Sequence, residues 1–174
     1  MKGLLRTLGI ILALAAAVHF LAVWSLPRMA MTIARRVIMN NAGGPNIAFH
    51  SKPTSEDNNI VVMQNADTLA TMCAYDLAGG PVRVRAAVPD TYWSVSFYEM
   101  NTDNFYVKND RQATGGDVEI ILVAEGREKP EPGDAEVVIS PTTQGIVIFR
   151  NLVRKKEEIE ELMRIQKKAS CEPM

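Results

Sequence analysis

Three aspartates are the side chains best placed in the sequence for acid–base chemistry. Asp67 and Asp103 each end an Asn-x-Asp group that begins at Asn65 or Asn101, and Asp76 follows an apolar run. Pairs of carboxylates with tuned pKa values are common acids and bases in hydrolases. All three also suit turns, because Asn and Asp side chains accept hydrogen bonds from backbone N–H groups two residues later. The turn interpretation needs no ligand, and we prefer it to catalysis.

The two Asn-x-Asp groups lie 36 residues apart, and Gly-Gly pairs recur at the same interval at 43–44, 79–80 and 115–116. Thr68 and Asn104 directly follow the two groups and belong to the same candidate motifs. Regular spacing of this kind predicts that segments 60–76 and 96–112 are equivalent strand-and-turn units. Superposition of the two turns tests this hypothesis.

A polar aromatic face is expected on the strand that runs from Tyr92 to Tyr98. Apolar residues alternate there with Ser and Tyr, so one face is apolar and the other carries both tyrosines. The polar face could line a pocket for a carbohydrate or a lipid. It could equally pack against a second sheet with its hydroxyl groups at the rim, and this is the interpretation that we favour.

Arg150 ends the last predicted strand. A guanidinium group at this position could bind an anionic ligand through two parallel hydrogen bonds. It could instead form an ion pair with an aspartate of the turns, Asp67 or Asp103. Of these two roles we expect the ion pair.

Neither a metal nor a cofactor is indicated by the remaining motifs. His50 would need an unusual set of partners to complete a zinc site. Glu99, Asn101 and Asp103 resemble the start of a calcium loop, but the glycine and the final acid of such loops are missing. A glycine-rich phosphate loop and a G-x-S-x-G nucleophile motif are also absent. We therefore expect no metal and no cofactor.

Cys73 and Cys171 are the two cysteines of the chain. In an oxidising compartment they could form a disulfide that ties the C-terminus to a sheet. They could also stay free, with Cys73 behaving as a small buried apolar side chain. The sequence leaves both alternatives open.

Charge is distributed unevenly along the chain. Residues 1–55 hold six basic and no acidic side chains, whereas the remaining 119 residues hold 13 basic and 20 acidic ones. An acidic domain lacks the clustered Lys and Arg that neutralise phosphates, so nucleic-acid binding is not expected.

Residues 8–26 contain no formal charge and are about long enough to cross the roughly 30 Å hydrocarbon core of a bilayer. A cleavable signal peptide is the alternative, but bulky residues occupy the place of the small-x-small cleavage site. We expect residues 1–27 to be an uncleaved membrane anchor. The short basic N-terminus favours an inside position, with the bulk of the chain exported.

A basic amphipathic segment and linker are predicted at residues 28–46. Apolar residues recur there every four positions, with arginines on the other side, which suits a helix lying along anionic headgroups. A simple continuation of the membrane helix explains the same pattern. The Asn-Asn-Ala-Gly-Gly-Pro sequence at residues 40–45 should end the helix in either case.

From residue 47 to residue 153 the pattern changes to short runs rich in β-branched and aromatic residues. Seven strands are predicted, at 60–63, 68–75, 82–88, 92–100, 118–123, 136–140 and 145–149. Their number and spacing predict a mainly β domain, an antiparallel β-sandwich or a jelly-roll-like barrel. Residues 154–174 should form an amphipathic helix that packs a thin apolar edge on the sheet, followed by a tail.

Several short motifs follow one another in a distinctive order. They are N-x-DTL at Asn65–Leu69, D-L-x-x-GP at Asp76–Pro81, P-D-x-Y-W-S-V at Pro89–Val95, N-x-D-N-F at Asn101–Phe105, S-P-T at Ser140–Thr142, and Arg150. This order resembles the bacterial domain of unknown function numbered 1254, over about Asn59 to Gln166. The resemblance implies a sandwich-like domain in an envelope or membrane-associated protein, and it implies no particular activity.

The chain departs from that family in two respects. The family usually has a Tyr after the DTL triplet, where this chain has Ala70. If that Tyr lines a ligand pocket in longer relatives, the pocket differs here. Relative to that family we also expect a minimal version, without the second domain that larger relatives carry.

The sequence as a whole favours a single-pass protein of the bacterial inner membrane with a periplasmic sandwich domain. We expect a non-enzymatic binding or structural role, with the lipid bilayer as one partner through residues 8–26 and an envelope protein or glycan as another. The alternative is a membrane-tethered hydrolase that uses Asp67, Asp76 or Asp103 on an envelope substrate. A concave pocket that holds two of these acids would favour the enzyme.

Overall fold

The computed structural model describes residues 2–54, 65–113, 116–131 and 133–174. These residues form a long N-terminal helix, two β-sheets and a short C-terminal helix. The structure therefore confirms the predicted fold class, a mainly β sandwich with a helix at each end. The strand predicted at 60–63 lies outside the described residues.

The strands of the described chain fall into two sheets. In chain order they are β1 (Ala48–His50), β2 (Thr68–Asp76), β3 (Val82–Ala86), β4 (Trp93–Glu99), β5 (Asn104–Asn109), β6 (Val118–Ala124), β7 (Glu136–Ser140), β8 (Gln144–Leu152) and β9 (Ser170–Pro173). The first sheet has the order β1-β2-β8-β4-β5, and the second has the order β7-β6-β3-β9. All pairs are antiparallel except β6 and β7, which run parallel.

Three of these strands were not predicted, and all three lie at sheet edges. β1 and β5 are the edges of the first sheet, and β9 is an edge of the second, where a tail was expected. Edge strands are short and partly solvated, so their hydrophobic alternation is weak. Pairing with distant residues stabilises them: Val84 of β3, for example, lies opposite Cys171 of β9.

The main core lies between the two sheets. Trp93, Val95 and Phe97 of β4 point into it, as their alternation predicted, and each is at most 2% exposed. Trp93 stacks on Phe149 of β8 with ring centroids 5.6 Å apart. Because this apolar face of β4 fills the core, its polar face points to the opposite side of the first sheet.

A disulfide joins Cys73 of β2 to Cys171 of β9, with the two Cα atoms 6.4 Å apart. Both residues belong to the core between the sheets. The bond therefore links the middle of the first sheet to the C-terminal strand of the second. The cysteines therefore form the disulfide and are not free.

Helix α1 runs without interruption over Lys2–Ala42, with Pro27 inside it. It ends at Gly43, whose φ of +91° is the left-handed conformation that commonly follows a helix. By length and composition α1 could cross a membrane, and a signal sequence would pass the same test. Residues 28–42 are thus a direct continuation of the apolar segment.

The last turns of α1 pack on the outer face of the first sheet. Ile38, which is 3% exposed, lies in a second apolar cluster with Met72 of β2 and Ile146 of β8. Met31 and Ala34 pack against the same cluster. Part of the apolar side of residues 28–42 therefore contacts the sheet.

Helix α2 (Ile159–Gln166) closes the domain on the β2 side, after one 3₁₀ turn at Lys156–Glu158. Its buried edge holds Leu162 and Gln166. The Gln166 amide donates hydrogen bonds to the carbonyl oxygens of Ala70 and Ser51, at 2.8 and 3.2 Å. The predicted packing of this helix on the sheet is confirmed.

Candidate functional site: a groove between helix α1 and the first sheet

A groove of about 600 Å³ lies between α1 and the outer face of the first sheet. Its described lining is mostly apolar, with a few polar groups on the side of β4. The lining residues are Ala30, Met31, Ile33, Ala34, Val37, Ile38, Met72, Tyr98, Thr102, Ile146, Ile148 and Arg150. This volume lies within the range of small-molecule sites in proteins.

Strand periodicity builds the floor of the groove. Ile146, Ile148 and Arg150 are alternate residues of β8, so all three point to the same face. Tyr98 of β4 lies directly across from Ile146 in the register of the two strands. A row of two isoleucines that ends in an arginine therefore runs beside a tyrosine.

Helix periodicity builds the opposite wall. Ala30, Ile33 and Val37 are three and four residues apart on α1 and share one side of it. Ile33 is 59% exposed, although it is a large apolar side chain facing the groove. The wall thus presents apolar surface that the protein itself leaves uncovered.

A hydrogen-bonded cluster surrounds Arg150 on the β4 side. Its Nη1 atom donates to Ser96 Oγ at 3.4 Å. Burial raises the pKa of the Tyr98 hydroxyl, but hydrogen bonding to Arg150 and the charge of that residue lower it. Hydrogen bonds with Ser96 and Asn104 act in the same direction, so the pKa of Tyr98 lies below its ordinary value.

The predicted ion pair of Arg150 with Asp67 or Asp103 was wrong. Both aspartates are described, and neither lies within ion-pair distance of Arg150. Arg150 is on the sheet surface between Ala70 and Ser94, its neighbours on β2 and β4. The aspartates lie instead in turns that precede β2 and β5, beyond the ends of the strands.

Both Asn-x-Asp groups form turns closed by the asparagine side chain. The Asp67 N–H donates to Asn65 Oδ1 and the Asp103 N–H donates to Asn101 Oδ1, each at 2.9 Å. The backbones differ, because Thr102 has a φ of +79° whereas the middle residue of the first turn has no positive φ. The motifs share a hydrogen bond, but the proposed equivalence of the two turns does not hold.

The residues that follow these turns have different surroundings. Thr68 begins β2, and its hydroxyl donates to the Asn65 carbonyl oxygen at 3.3 Å. Asn104 begins β5 and belongs to the cluster around Tyr98. Only the second motif therefore supplies a residue to the candidate site.

Asp76 holds α1 against the sheet. Its Oδ2 atom lies 3.3 Å from Arg35 Nη2 and accepts a hydrogen bond from the Gln144 amide at 2.7 Å. Its Oδ1 atom accepts one from the Ala78 N–H at 3.0 Å. These contacts occupy the carboxylate in a structural role.

The structure does not bring the predicted site residues together as one group. Tyr98 and Arg150 line the groove, whereas Tyr92 is 46% exposed and does not. The polar face of β4 also does not pack against the second sheet, which contacts the opposite face. Within the described chain, no carboxylate lines the groove, and no cluster of His, Cys, Asp and Glu is suited to a metal.

Sequence reasoning missed the helical wall of the groove. The four-residue spacing of Ile33 and Val37 indicates either a helix along the headgroups or a continuation of the membrane helix, and neither alternative places these residues beside a sheet. The floor residues Ile146 and Ile148 had been assigned only to a strand. A pairing of segments more than 100 residues apart creates the groove, and the single sequence contains no signal for that pairing.

Comparison with proteins of known structure finds the same fold in proteins of unassigned function. The VPA0106 protein from Vibrio parahaemolyticus matches with a TM-score of 0.67 and 18% identity, covering 85% of this chain and 35% of that one. An uncharacterised protein from Burkholderia cenocepacia matches with a TM-score of 0.51 and 14% identity, covering 79% and 37%. This chain thus corresponds to little more than a third of either neighbour.

No curated protein matches the chain. The family described as "Protein of unknown function (DUF1254)" matches residues 45–173, which include every strand of both sheets. The match contains the motifs from Asn65 to Arg150 whose order resembles this family. The chain therefore belongs to the DUF1254 family of proteins of unknown function.

Proposed function

We propose that this protein is a membrane-anchored binding module whose groove holds the hydrocarbon chain of a lipid from the adjacent bilayer. The observation that carries the proposal is the position of the groove on α1. Its lining begins at Ala30, four residues after the uncharged segment 8–26 ends. At 1.5 Å per helical residue, this separation is only about 6 Å along the helix axis.

The lining favours a lipid over the glycan considered from the sequence. Glycans need many hydrogen-bonding groups, whereas this wall and floor consist mainly of aliphatic side chains. Apolar surface that the protein does not cover itself commonly marks a binding site. A hydrocarbon chain is the ligand that gains most from covering Ile33, which is 59% exposed, and Ile148, which is only partly buried.

Two observations support placement of the domain in an oxidising envelope compartment. The Cys73–Cys171 disulfide is of a kind that persists in exported proteins. The segment that precedes the apolar run is short, which favours an inside N-terminus, and long domains are exported largely regardless of charge. We propose a single-pass inner-membrane protein with its sandwich in the periplasm.

The hydrolase alternative gains no support from the geometry. Asp67, Asp76 and Asp103 lie in three separate places, and none of them lines the groove. Asp76 is already engaged by Arg35 and Gln144. A binding role, unlike a hydrolase, requires no carboxylate in the groove.

Photolabelling of the full chain in nanodiscs of a zwitterionic phosphatidylcholine tests the proposal. The probe is a long-chain fatty acid with a diazirine in its chain, and mass spectrometry locates the labelled residues. Label on Ile146 or Ile148 is diagnostic, because β8 belongs to the folded domain and not to the apolar segment of α1. We expect saturable labelling there.

A pair of tryptophan variants provides the matched control. Ala30→Trp places a large side chain in the groove and should abolish labelling of β8. Met29→Trp adds the same group at a neighbouring position that is 58% exposed and does not line the groove, so labelling should persist. Equal labelling of both variants, or no saturable label on β8 in the wild type, would contradict the proposal.

A further inference from the structure

We infer that Arg150 and Tyr98 form a head-group site at the side of the groove, with Ser96 accepting a hydrogen bond from Arg150, and that this site selects amphiphiles with an anionic carboxylate or phosphate monoester. The inference rests on the proposed function, since it assigns the polar end of the same ligand. It adds a chemical class that the apolar lining alone does not specify.

The first observation is the charge of the residues around the groove. Arg150 is the single charged residue among the described residues that line it. Arg150 also forms no ion pair with any residue in the described part of the chain. A partly buried guanidinium next to apolar surface is costly without an anionic partner, and a bound anion would supply one.

The second observation is the arrangement of hydrogen-bond donors at Arg150. Arg150 offers a planar fork of N–H groups that can bind two oxygens of a carboxylate or phosphate. The Tyr98 hydroxyl lies in the same hydrogen-bonded cluster, and Tyr98 lines the groove, so this hydroxyl can donate to a bound oxygen. Ser96 is only 4% exposed and holds the Arg150 guanidinium through the 3.4 Å hydrogen bond.

The third observation is the order of residues along β8. Ile146, Ile148 and Arg150 follow one another on the groove face, and alternate strand residues are about 6.6 Å apart. A hydrocarbon chain over Ile148, which is only partly buried, therefore ends next to the guanidinium.

Two photoprobes that differ only in the head group test the inference. One is the diazirine fatty acid described above, and the other is the primary alcohol of the same chain and diazirine position. In wild-type protein in zwitterionic nanodiscs, we expect about tenfold or more labelling of β8 by the acid over the alcohol, as charge-assisted hydrogen bonds are stronger than neutral ones.

Variants of the cluster should lower this ratio, in which labelling by the alcohol serves as the internal reference. Arg150→Met keeps an apolar stem and should bring the acid-to-alcohol ratio close to one. Tyr98→Phe removes only a hydroxyl group and should lower the ratio severalfold, and it serves as the test if Arg150→Met does not fold. Arg154→Met is the matched control, because Arg154 is 54% exposed, pairs with Glu158 and does not line the groove.

The outcomes separate this inference from the proposed function. Equal labelling of β8 by acid and alcohol in the wild type, or a ratio that persists in both cluster variants, overturns the head-group site and leaves the lipid groove standing. Absence of β8 labelling by both probes overturns the groove and the head-group site together.

Competition distinguishes a lipid head group from a small free anion. Acetate and inorganic phosphate carry the same anionic groups without a chain. We expect neither, at millimolar concentration, to reduce labelling by the acid, whereas an unlabelled alkyl phosphate of matched chain length should. Displacement by acetate or inorganic phosphate alone would overturn the assignment to an amphiphile.

Discussion

Arg35 of α1 and Asp76 of β2 form an ion pair across the interface between the long helix and the first sheet, with Nη2 3.3 Å from Oδ2. Their side chains are only 13% and 23% exposed. Gln144 of β8 binds the same carboxylate oxygen, so one aspartate connects the helix to two strands. The groove exists because this interface holds α1 in place.

Asp76→Asn should destabilise the protein by about 2 kcal/mol. The change leaves the Arg35 guanidinium partly buried without its anionic partner, while an amide can still accept from the Ala78 N–H. Denaturant titration measures the change. Glu158→Gln is the control, because its partner Arg154 is more exposed and the effect should stay within about 0.5 kcal/mol. Equal effects would show that the Arg35–Asp76 pair has no special role.

Removal of the disulfide should cost about 3 kcal/mol of stability, because the bond closes a long loop in the unfolded chain. Cys73 and Cys171 are 98 residues apart in sequence. The double variant Cys73→Ala/Cys171→Ala and the reduced wild type should share one lowered denaturation midpoint. A reductant should leave the double variant unchanged, and a wild type that is insensitive to reductant would contradict the prediction.

Gly145→Ala should destabilise the protein by about 2–3 kcal/mol. A Cβ atom at this position of β8 would overlap the Tyr98 carbonyl oxygen and the Tyr75 hydroxyl. Tyr75 is fully buried and its hydroxyl lies 3.0 Å from Ser140 Oγ, so it has little freedom to move. Gly79→Ala adds the same methyl group where nothing lies within 4 Å. Thermal unfolding should show almost no change for this control.

Stability should fall as the pH drops below about 6.5, in part because of His50. Burial, and then the charge of Lys167, lower the pKa of His50 from 6.5, so the unfolded chain binds a proton at a higher pH than the folded one. The contribution of His50 to the free energy of unfolding is fully present above pH 6.5. It is lost as the pH falls toward the lower pKa of the folded state. Denaturant titrations at several pH values give the free energy of unfolding as a function of pH. This free energy should fall less steeply with decreasing pH in His50→Asn than in the wild type. An unchanged slope would exclude His50 as the source.

Arg150→Met should raise the pKa of Tyr98. In the wild type, burial raises this pKa, but the hydrogen bonds with Arg150, Ser96 and Asn104 and the charge of Arg150 together lower it below its ordinary value. Without Arg150 the effect of burial remains. NMR titration of protein with ¹³C-labelled tyrosine, assigned with Tyr98→Phe, measures the pKa. Arg154→Met should leave the titration of Tyr98 unchanged. If the pKa of Tyr98 were the same in Arg150→Met as in the wild type, the Tyr98 and Arg150 side chains would not be in contact.

The central strands could be read from the sequence because their own residues specify them. Val82, Val84 and Ala86 alternate with Arg83 and Arg85, and in the structure the first three point into the core. Buried strands carry this alternation because one face must meet the opposite sheet. Such a signal is local, and no partner needs to be known.

The edge strands and the groove could not be read in the same way. β9 is four residues long, and its position depends on pairing with β3 and on the Cys73–Cys171 bond. The role of Arg150 depends on which side chains lie beside it on two other strands. These are contacts between distant segments, and residue type alone favoured an ion pair with a turn aspartate that lies elsewhere.

The unbroken course of α1 has a consequence for how the proposed lipid ligand is exchanged. A flexible linker would let the domain tumble above the membrane, whereas a continuous helix clamped to the sheet through Arg35 and Ile38 removes that rotational freedom. In the membrane-anchored arrangement that we propose, the groove would face the same leaflet in every copy and at the same height. Loading and release would take place with the lipids of that one leaflet, and the domain would sample its composition continuously.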